Sequence, residues 1–261
     1  GPEVIAVVWT LAMVAACFLA ARIYSKRRGH KGLWWDDMLL MASWVMLALF
    51  AGAITYCVQV GVGSHVNSSN VKQTPVQLCT IIATVFSVLG AAWSKTSFAL
   101  TLLRITRASN SRILYWGIWV VAVSLNAVLS FNALVWFVYC SPSAGAWNAK
   151  IHAQCWSRLV VVDYTRFAAA YSGAMDFVLA VVPWAVILRL RSIPLREKMG
   201  VAMGMSLGVF AGCTATMRAI TVGALYSGDY TYDEGQLFIW TGAEIAMTIV
   251  ATSIPILRTL V

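Results

Sequence analysis

Seven apolar runs, each long enough to cross a lipid bilayer, constrain the fold of this chain more than any other feature. A transmembrane helix needs about 20 mostly apolar residues. The runs lie near Val4–Ala21, Met38–Val60, Val76–Leu103, Ile113–Tyr139, Leu159–Leu188, Met199–Leu225 and Gln236–Leu257. Only 11% of the residues are charged, whereas soluble domains carry roughly 25%. We predict an all-α integral membrane protein, with residues 1–261 forming a single bundle of seven transmembrane helices.

The first run is too long for the apolar core of a signal peptide, and we predict that it is a true span. If the runs alternate in direction, thirteen of the nineteen Lys and Arg residues lie at the run ends that share one side of the membrane. Only Lys72, Lys150, Arg158 and Arg166 lie at the ends on the other side. Basic residues are retained on the cytoplasmic side, so we predict an amino terminus outside and a carboxy terminus in the cytoplasm.

The placement of the basic residues also bears on partners and compartment. The formal net charge is +9, which invites a nucleic-acid interpretation. Because these charges lie in short clusters between apolar runs, as the positive-inside rule requires, we expect membrane lipid and no nucleic acid as partners. The expected location is the endoplasmic reticulum, another endomembrane or the plasma membrane.

Cysteines and a glycosylation signal agree with this orientation. Cys140 and Cys155 flank the predicted outer loop between the fourth and fifth runs, where an oxidising compartment allows a disulfide. A pairing of Cys79 with either of them stays open. The four cysteines within or beside the runs are expected to be small packing residues: Cys17, Cys57, Cys79 and Cys213. Asn67-Ser68-Ser69, in the predicted first outer loop, matches a glycosylation acceptor.

Several short sequence motifs follow one another along nearly the whole chain. They are Arg22-Ile23-Tyr24-Ser25 with Trp35-Asp36-Asp37, Gly61-Val62-Gly63-Ser64-His65, Lys95-Thr96-Ser97 with Leu103-Arg104-Ile105, Cys140-Ser141-Pro142 with Trp147 and Cys155, Asp176-Phe177 with Pro183, Ser206-Leu207-Gly208 with Arg218, and Trp240 with Glu244 before Pro255-Ile256-Leu257-Arg258. In this set and order, the chain resembles the fungal rhodopsin-like domain family of seven-helix integral membrane proteins.

The resemblance implies the fold and two kinds of function. The family includes receptor-like proteins implicated in fungal surface sensing. It also includes satratoxin-cluster-type members encoded beside secondary-metabolite genes, some of which are suspected of catalysis. This chain has Ser172 where many members carry an amide. We also expect neither the cysteine-rich module nor the long cytoplasmic tail of several receptor-like members.

A retinal pigment needs a lysine for the Schiff base, normally in the seventh helix. The run Gln236–Leu257 contains no lysine, and the intramembrane lysine is Lys95, in the third run. We therefore expect no retinal.

Six ionisable residues lie within the runs, where an unpaired charge is costly: Lys95, Asp163, Arg166, Asp176, Arg218 and Glu244. One interpretation is structural, with Lys95 paired to Asp176 near mid-bilayer and Arg218 paired to Glu244. At about 1.5 Å per residue from the cytoplasmic ends, Lys95 would lie roughly 14 Å deep. The same count puts Arg218 roughly 30 Å deep, close to the outer face.

The other interpretation is a functional site. Asp163 and Arg166 lie one turn apart on a single helix face, and Asp176 lies near that face. These residues could line a pocket that opens outward, with Glu244 and Arg218 closing its other wall. The alternative is an interfacial salt bridge between Asp163 and Arg166. A carboxylic acid in a dry pocket keeps its proton and can donate it. The predicted acid and base residues are Asp163, Asp176 and Glu244, and the predicted substrate-orienting residues are Arg166, Arg218 and Lys95.

Aromatic side chains crowd the predicted outer half, and we predict that Tyr171 and Trp240 contact the substrate. Aromatic faces stabilise cations, although Trp and Tyr belts at membrane interfaces are ordinary. His65 and His152 lack a ligand spacing, so we expect no metal and no cofactor. Asp36-Asp37 starts the second run, where acids favour a helix amino terminus, and is expected to act as a cap.

Two function hypotheses follow. In the first, the protein is a membrane-embedded biosynthetic enzyme of fungal secondary metabolism. It would cyclise a lipophilic prenylated or polyketide substrate by acid and base catalysis, in the manner of a terpene cyclase or isomerase. The alternative is a G-protein-coupled-receptor-like sensor that binds an apolar ligand in an outer pocket. Short inner loops favour the enzyme, because they leave little surface for a cytoplasmic signalling partner. Transport has less support because the sequence has no convincing internal repeat.

Overall fold

The computed structural model describes residues 1–29, 32, 34–60, 73–108, 112–147, 152–189, 195–224 and 230–257. Seven long helices run through these residues: α1 Pro2–Arg28, α2 Trp35–Val60, α3 Gln73–Ala108, α4 Arg112–Val138, α5 Arg158–Arg189, α6 Leu195–Ala224 and α7 Tyr230–Leu257. Each predicted run falls within a helix except at its ends, and several helices extend beyond the apolar run. The predicted helical bundle is therefore present.

Helices α3 and α7 form the centre of the bundle. Neighbouring helices pack as α2 on α3, α3 on α4, α5 on α6 and α6 on α7, while α1 returns to α7. Helix α3 also contacts α5 and α7. In the apolar span of α7, 67% of the residues are buried, against 28% in α1. Polar side chains on α3 and α7 are thus the ones that the bundle encloses.

The outer surface of the bundle is apolar, as expected of a lipid-facing surface. On α4 alone, Val120, Val123, Leu134 and Val138 are each about 60% exposed. Within the described residues, six of the helices are long and apolar enough to cross a bilayer. The chain has the architecture of a helical membrane bundle.

Two disulfides lie at one end of the bundle, which we call the disulfide end. Cys140 is joined to Cys155, and the strands β1 (Cys140–Ser141) and β2 (Gln154–Cys155) pair antiparallel beside this bond. A second disulfide joins Cys57 of α2 to Cys79 of α3. The expectation that these two cysteines only fill space is wrong, because the packing of α2 on α3 brings them together. The acceptor Asn67 lies outside the described residues.

Glycines allow close packing of α5 against α6. A Cβ atom on Gly173 would lie 3.2 Å from Ala215 Cβ, and one on Gly208 would lie 3.1 Å from Ala180 Cβ. Small residues at a membrane helix interface let the two backbones approach closely. This contact sets the spacing between the helices that carry Asp176 and Arg218.

Candidate functional site

Four charged side chains from four helices meet in a buried cluster, the central network: Lys95 of α3, Asp176 of α5, Arg218 of α6 and Glu244 of α7. Lys95 Nζ lies 2.7 Å from Asp176 Oδ2 and 2.6 Å from Glu244 Oε1. Arg218 Nη1 lies 3.1 Å from Glu244 Oε2. Both pairs of the structural interpretation are present, and Lys95 joins them into one network with two charges of each sign.

Ser172 completes the central network from one turn before Asp176. Its Oγ accepts a hydrogen bond from Lys95 Nζ at 2.5 Å and donates one to Glu244 Oε1 at 3.0 Å. A hydroxyl can do both because it carries a donor and acceptor lone pairs. Glu244 has no exposed surface and Arg218 is 6% exposed. The Nε of Arg218 is buried without a hydrogen-bond acceptor among the described residues.

The predicted depth of Arg218 stays a prediction. Its guanidinium contacts Glu244 within the same network as Lys95, although counting residues separates the two helix positions by roughly 16 Å along the membrane normal. The long side chains of Lys95, Glu244 and Arg218 can bridge such a separation, because each of them extends several ångströms from its helix.

Asp163 and Arg166 do not join the central network. Both are exposed near the disulfide end of α5, and thirteen residues of helix put Asp163 about 20 Å from Asp176 along the axis. Arg166 lies instead beside α6, where a Cβ on Gly223 would be 3.4 Å from its Cζ. The described contacts therefore do not bring Asp163 and Arg166 together with Asp176, and a pocket that unites the three stays a prediction.

The two aromatic residues predicted to contact the substrate lie on different helices, Tyr171 on α5 and Trp240 on α7. Tyr171 donates a hydrogen bond to Ser124 Oγ of α4 at 2.8 Å and stacks on Phe167. Trp240 is half-buried on α7, one turn before Glu244. Tyr171 directly precedes Ser172 on α5, so both predicted aromatic residues lie near the central network along their own helices.

A second buried network, the basic network, lies at the opposite end of the bundle, which we call the basic end. Its members are Arg22 and Lys26 of α1, Asp36 and Asp37 of α2, and Arg104 of α3. Asp36 Oδ2 lies 2.7 Å from Arg22 Nη2, and Asp36 Oδ1 lies 2.7 Å from Arg104 Nη2. Asp37 Oδ1 accepts from Arg22 Nε at 2.9 Å, and its Oδ2 contacts Lys26 Nζ at 2.5 Å.

The cap predicted for Asp36-Asp37 describes only part of this arrangement. Asp37 does accept the Trp34 backbone N–H at 3.1 Å, as a residue in the first turn can. However, Asp36 is 2% exposed and Asp37 has no exposed surface, so their main role is to neutralise buried cations. The sequence signal for an acidic partner was Arg22, which directly follows the first run and lies within α1.

Helices α3 and α7 connect the two networks. On α3, Ser97 lies two residues after Lys95, and its Oγ donates to the Asp36 carbonyl at 2.6 Å. On α7, Glu244, Thr248 and Thr252 follow at four-residue intervals and are all buried. The Thr252 carbonyl accepts from Arg22 Nη1 at 2.5 Å. Both networks therefore contact the same two helices.

A cavity of about 500 Å³ opens at the basic end between α3, α4 and the segment before α2. Its lining combines charged, aromatic and apolar residues: Lys26, Gly32, Trp34, Trp35, Asp36, Leu100, Leu103, Arg104, Tyr115 and Trp119. Trp34, Trp35 and Trp119 therefore line a cavity in addition to any role in an interfacial belt. His152 is exposed, His65 lies outside the described residues, and the described residues contain no cluster of three metal-ligand side chains.

Comparison with known families agrees with the geometry. A model of the fungal rhodopsin domain family matches residues 21–261. The chain belongs to this family. No curated protein and no solved structure matches this fungal rhodopsin domain significantly. Despite the family name, α7 of this fungal rhodopsin domain has no lysine for a Schiff base, and Lys95 of α3 is held by two carboxylates.

Proposed function

We propose that this fungal rhodopsin domain is a receptor-like membrane protein that binds a small lipophilic ligand within the bundle and rearranges its basic end in response. The observation that carries the proposal is that the central and basic networks share α3 and α7. Two sites are coupled when both of them shift the conformational equilibrium of the same structural element. Buried ion pairs exist in discrete arrangements, because a half-broken pair leaves a charge uncompensated.

The central network suits recognition better than acid and base catalysis. A catalytic acid must come within hydrogen-bond reach of its substrate. Asp176 is 4% exposed and Glu244 has no exposed surface. Lys95, Ser172 and Arg218 contact their oxygens, which leaves little room for a substrate at the carboxyl groups.

Arg218 is the residue we propose for contact with the ligand. Its Nε–H is buried without an acceptor among the described residues, and a buried donor without a partner costs about 1–3 kcal/mol. A carbonyl, ether or hydroxyl oxygen on an otherwise apolar ligand would satisfy this donor. The ligand would thereby compete with Glu244 for the guanidinium and disturb the central network.

A second candidate is the membrane-embedded cyclase of prenylated or polyketide substrates. Two observations favour it. Among the described residues, Glu244 Oε2 has an ionic contact with Arg218 but no hydrogen bond. In addition, Trp240 precedes Glu244 by one turn. An aromatic ring beside a carboxylate is suited to stabilising and then deprotonating a carbocation.

Deletion of the gene in its organism of origin distinguishes the two candidates. A receptor predicts altered transcription without accumulation of a biosynthetic intermediate, measured by RNA sequencing and by mass spectrometry of culture extracts. Complementation with Glu244→Gln should fail, whereas complementation with Arg166→Gln, an exposed position outside both networks, should succeed. Accumulation of an uncyclised lipophilic precursor that membranes containing the protein convert would refute the receptor proposal in favour of the cyclase.

A further inference from the structure

The basic network contains an excess of positive charge. Three cations surround two carboxylates, and each carboxylate oxygen already contacts one of the cations. The central network, in contrast, is balanced. Among the described residues, the two carboxylates can balance the charge of only two of the three cations.

Arg104 is the cation of the basic network that is most able to reach a further anion. Its side chain is 46% exposed, whereas Arg22 has no exposed side-chain surface and Lys26 is 4% exposed. The hydrogen bond to Asp36 uses Nη2, which leaves the Nη1 and Nε donors of the guanidinium for another acceptor. Trp34 covers one face of the group, with the guanidinium carbon 4.9 Å from the ring centroid.

Arg104, which carries these remaining donors, lines the cavity at the basic end. The cavity measures about 500 Å³, which lies within the range of small-molecule sites. Lys26 lines it beside Arg104, while Leu100, Leu103 and Trp119 provide an apolar wall from α3 and α4. One part of the cavity is therefore cationic and another is apolar.

We propose that this cavity binds an anionic amphiphile through its phosphate group. The phosphate oxygens accept hydrogen bonds from Arg104, whose planar guanidinium matches phosphate geometry. Lys26 adds a point charge beside them. The hydrocarbon part lies against Leu100, Leu103 and Trp119. A lipid headgroup and a soluble phosphate ester share this phosphate chemistry, but only the lipid uses the apolar wall.

The site is separate from the central network, so its test is independent of the proposed receptor role. The purified protein in neutral detergent is titrated by calorimetry with three probes. Dioctanoyl phosphatidic acid has both the phosphate and the chains, dioctanoyl phosphatidylcholine has the same chains without net charge, and glycerol 3-phosphate has the phosphate without chains. We expect phosphatidic acid to bind about tenfold or more tightly than either comparison probe.

Two substitutions locate the binding. Arg104→Gln removes the cation and should weaken phosphatidic acid binding about tenfold or more. Trp34→Leu changes an exposed residue and should weaken it a few-fold by removing the aromatic wall over Arg104. The matched control is Arg28→Gln, an exposed basic residue of α1 that does not line the cavity, and it should change the affinity less than about twofold.

Thermal melting establishes whether Arg104→Gln is folded, and Trp34→Leu serves as the test if it is not. Equal binding of phosphatidylcholine and phosphatidic acid would overturn the phosphate contact. Equal binding of glycerol 3-phosphate would overturn the role of the apolar wall. Loss of affinity in Arg28→Gln as large as in Arg104→Gln, or unchanged affinity in both cavity variants, would overturn the site itself.

Discussion

At the scale of single residues, Lys95 is the residue on which the central network depends. One ammonium group contacts Asp176, Glu244 and Ser172, and Arg218 supplies the second positive charge. Removing one partner of a buried pair leaves an uncompensated charge and typically costs about 3–5 kcal/mol, whereas removing both partners with apolar residues of similar size is often nearly neutral.

A double-mutant cycle tests this dependence. Lys95→Met alone and Asp176→Leu alone should each lower the free energy of unfolding by about 3–5 kcal/mol. The double variant should be more stable than either, because it leaves the balanced pair of Arg218 and Glu244. Unfolding in mixed micelles measures all three.

Ser172→Ala is the control for the cycle, because it removes a hydrogen-bond partner without changing the charge balance and should cost about 1 kcal/mol. If the double variant loses as much stability as the two single variants together, the residues do not act as a pair.

At the scale of elements, the tight α5–α6 contact determines how Asp176 and Arg218 approach Glu244. Gly173 follows Ser172 directly, and a Cβ there would lie 3.2 Å from Ala215 Cβ and 3.5 Å from the Gly212 carbonyl oxygen. These neighbours are backbone or Cβ atoms, which cannot rotate out of the way as the end of a long side chain can.

We expect Gly173→Val to push α5 away from α6 and to destabilise the protein by about 1–3 kcal/mol through overpacking. Gly117→Val is the matched control, because a Cβ at Gly117 meets nothing within 4 Å. Melting temperatures in detergent measure both variants. Equal melting temperatures would show that α5 and α6 tolerate a wider spacing.

At the scale of the whole molecule, the receptor proposal requires the bundle to occupy more than one arrangement. The two free cysteines, Cys17 of α1 and Cys213 of α6, are both exposed. The other four cysteines form the two disulfides. Spin labels can therefore be attached to the native protein at two defined positions.

Electron-electron double resonance in nanodiscs should show that Lys95→Met changes the distance between the labels on Cys17 and Cys213. Helix shifts at switching interfaces are about 1–2 Å or larger, so we expect a change of about 2 Å or more in part of the population. Arg166→Gln should leave the distribution unchanged. Identical distributions in the wild type and both variants would identify the central network as a rigid scaffold.

The seven helices and their approximate ends follow from the sequence by itself, because a bilayer requires every backbone polar group to be paired within an apolar helix of about 20 residues. The pairs Lys95–Asp176 and Arg218–Glu244 were likewise predictable, since a buried charge needs an opposite charge. Each of these inferences uses the hydropathy or the charge of individual residues, which can be read from the sequence.

Tertiary structure alone decided which charges share a network and which cysteines meet. The joining of both pairs through Lys95 and the Cys57–Cys79 disulfide depend on the rotation of each helix and on its position along its axis. The separation of Asp163 from Asp176, in contrast, follows from the rise of a single helix. The cavity beside Arg104 depends in addition on the fold of the segment before α2. A hydropathy profile specifies neither the rotation nor the axial position of a helix, because side chains in different helices are brought into contact only by packing.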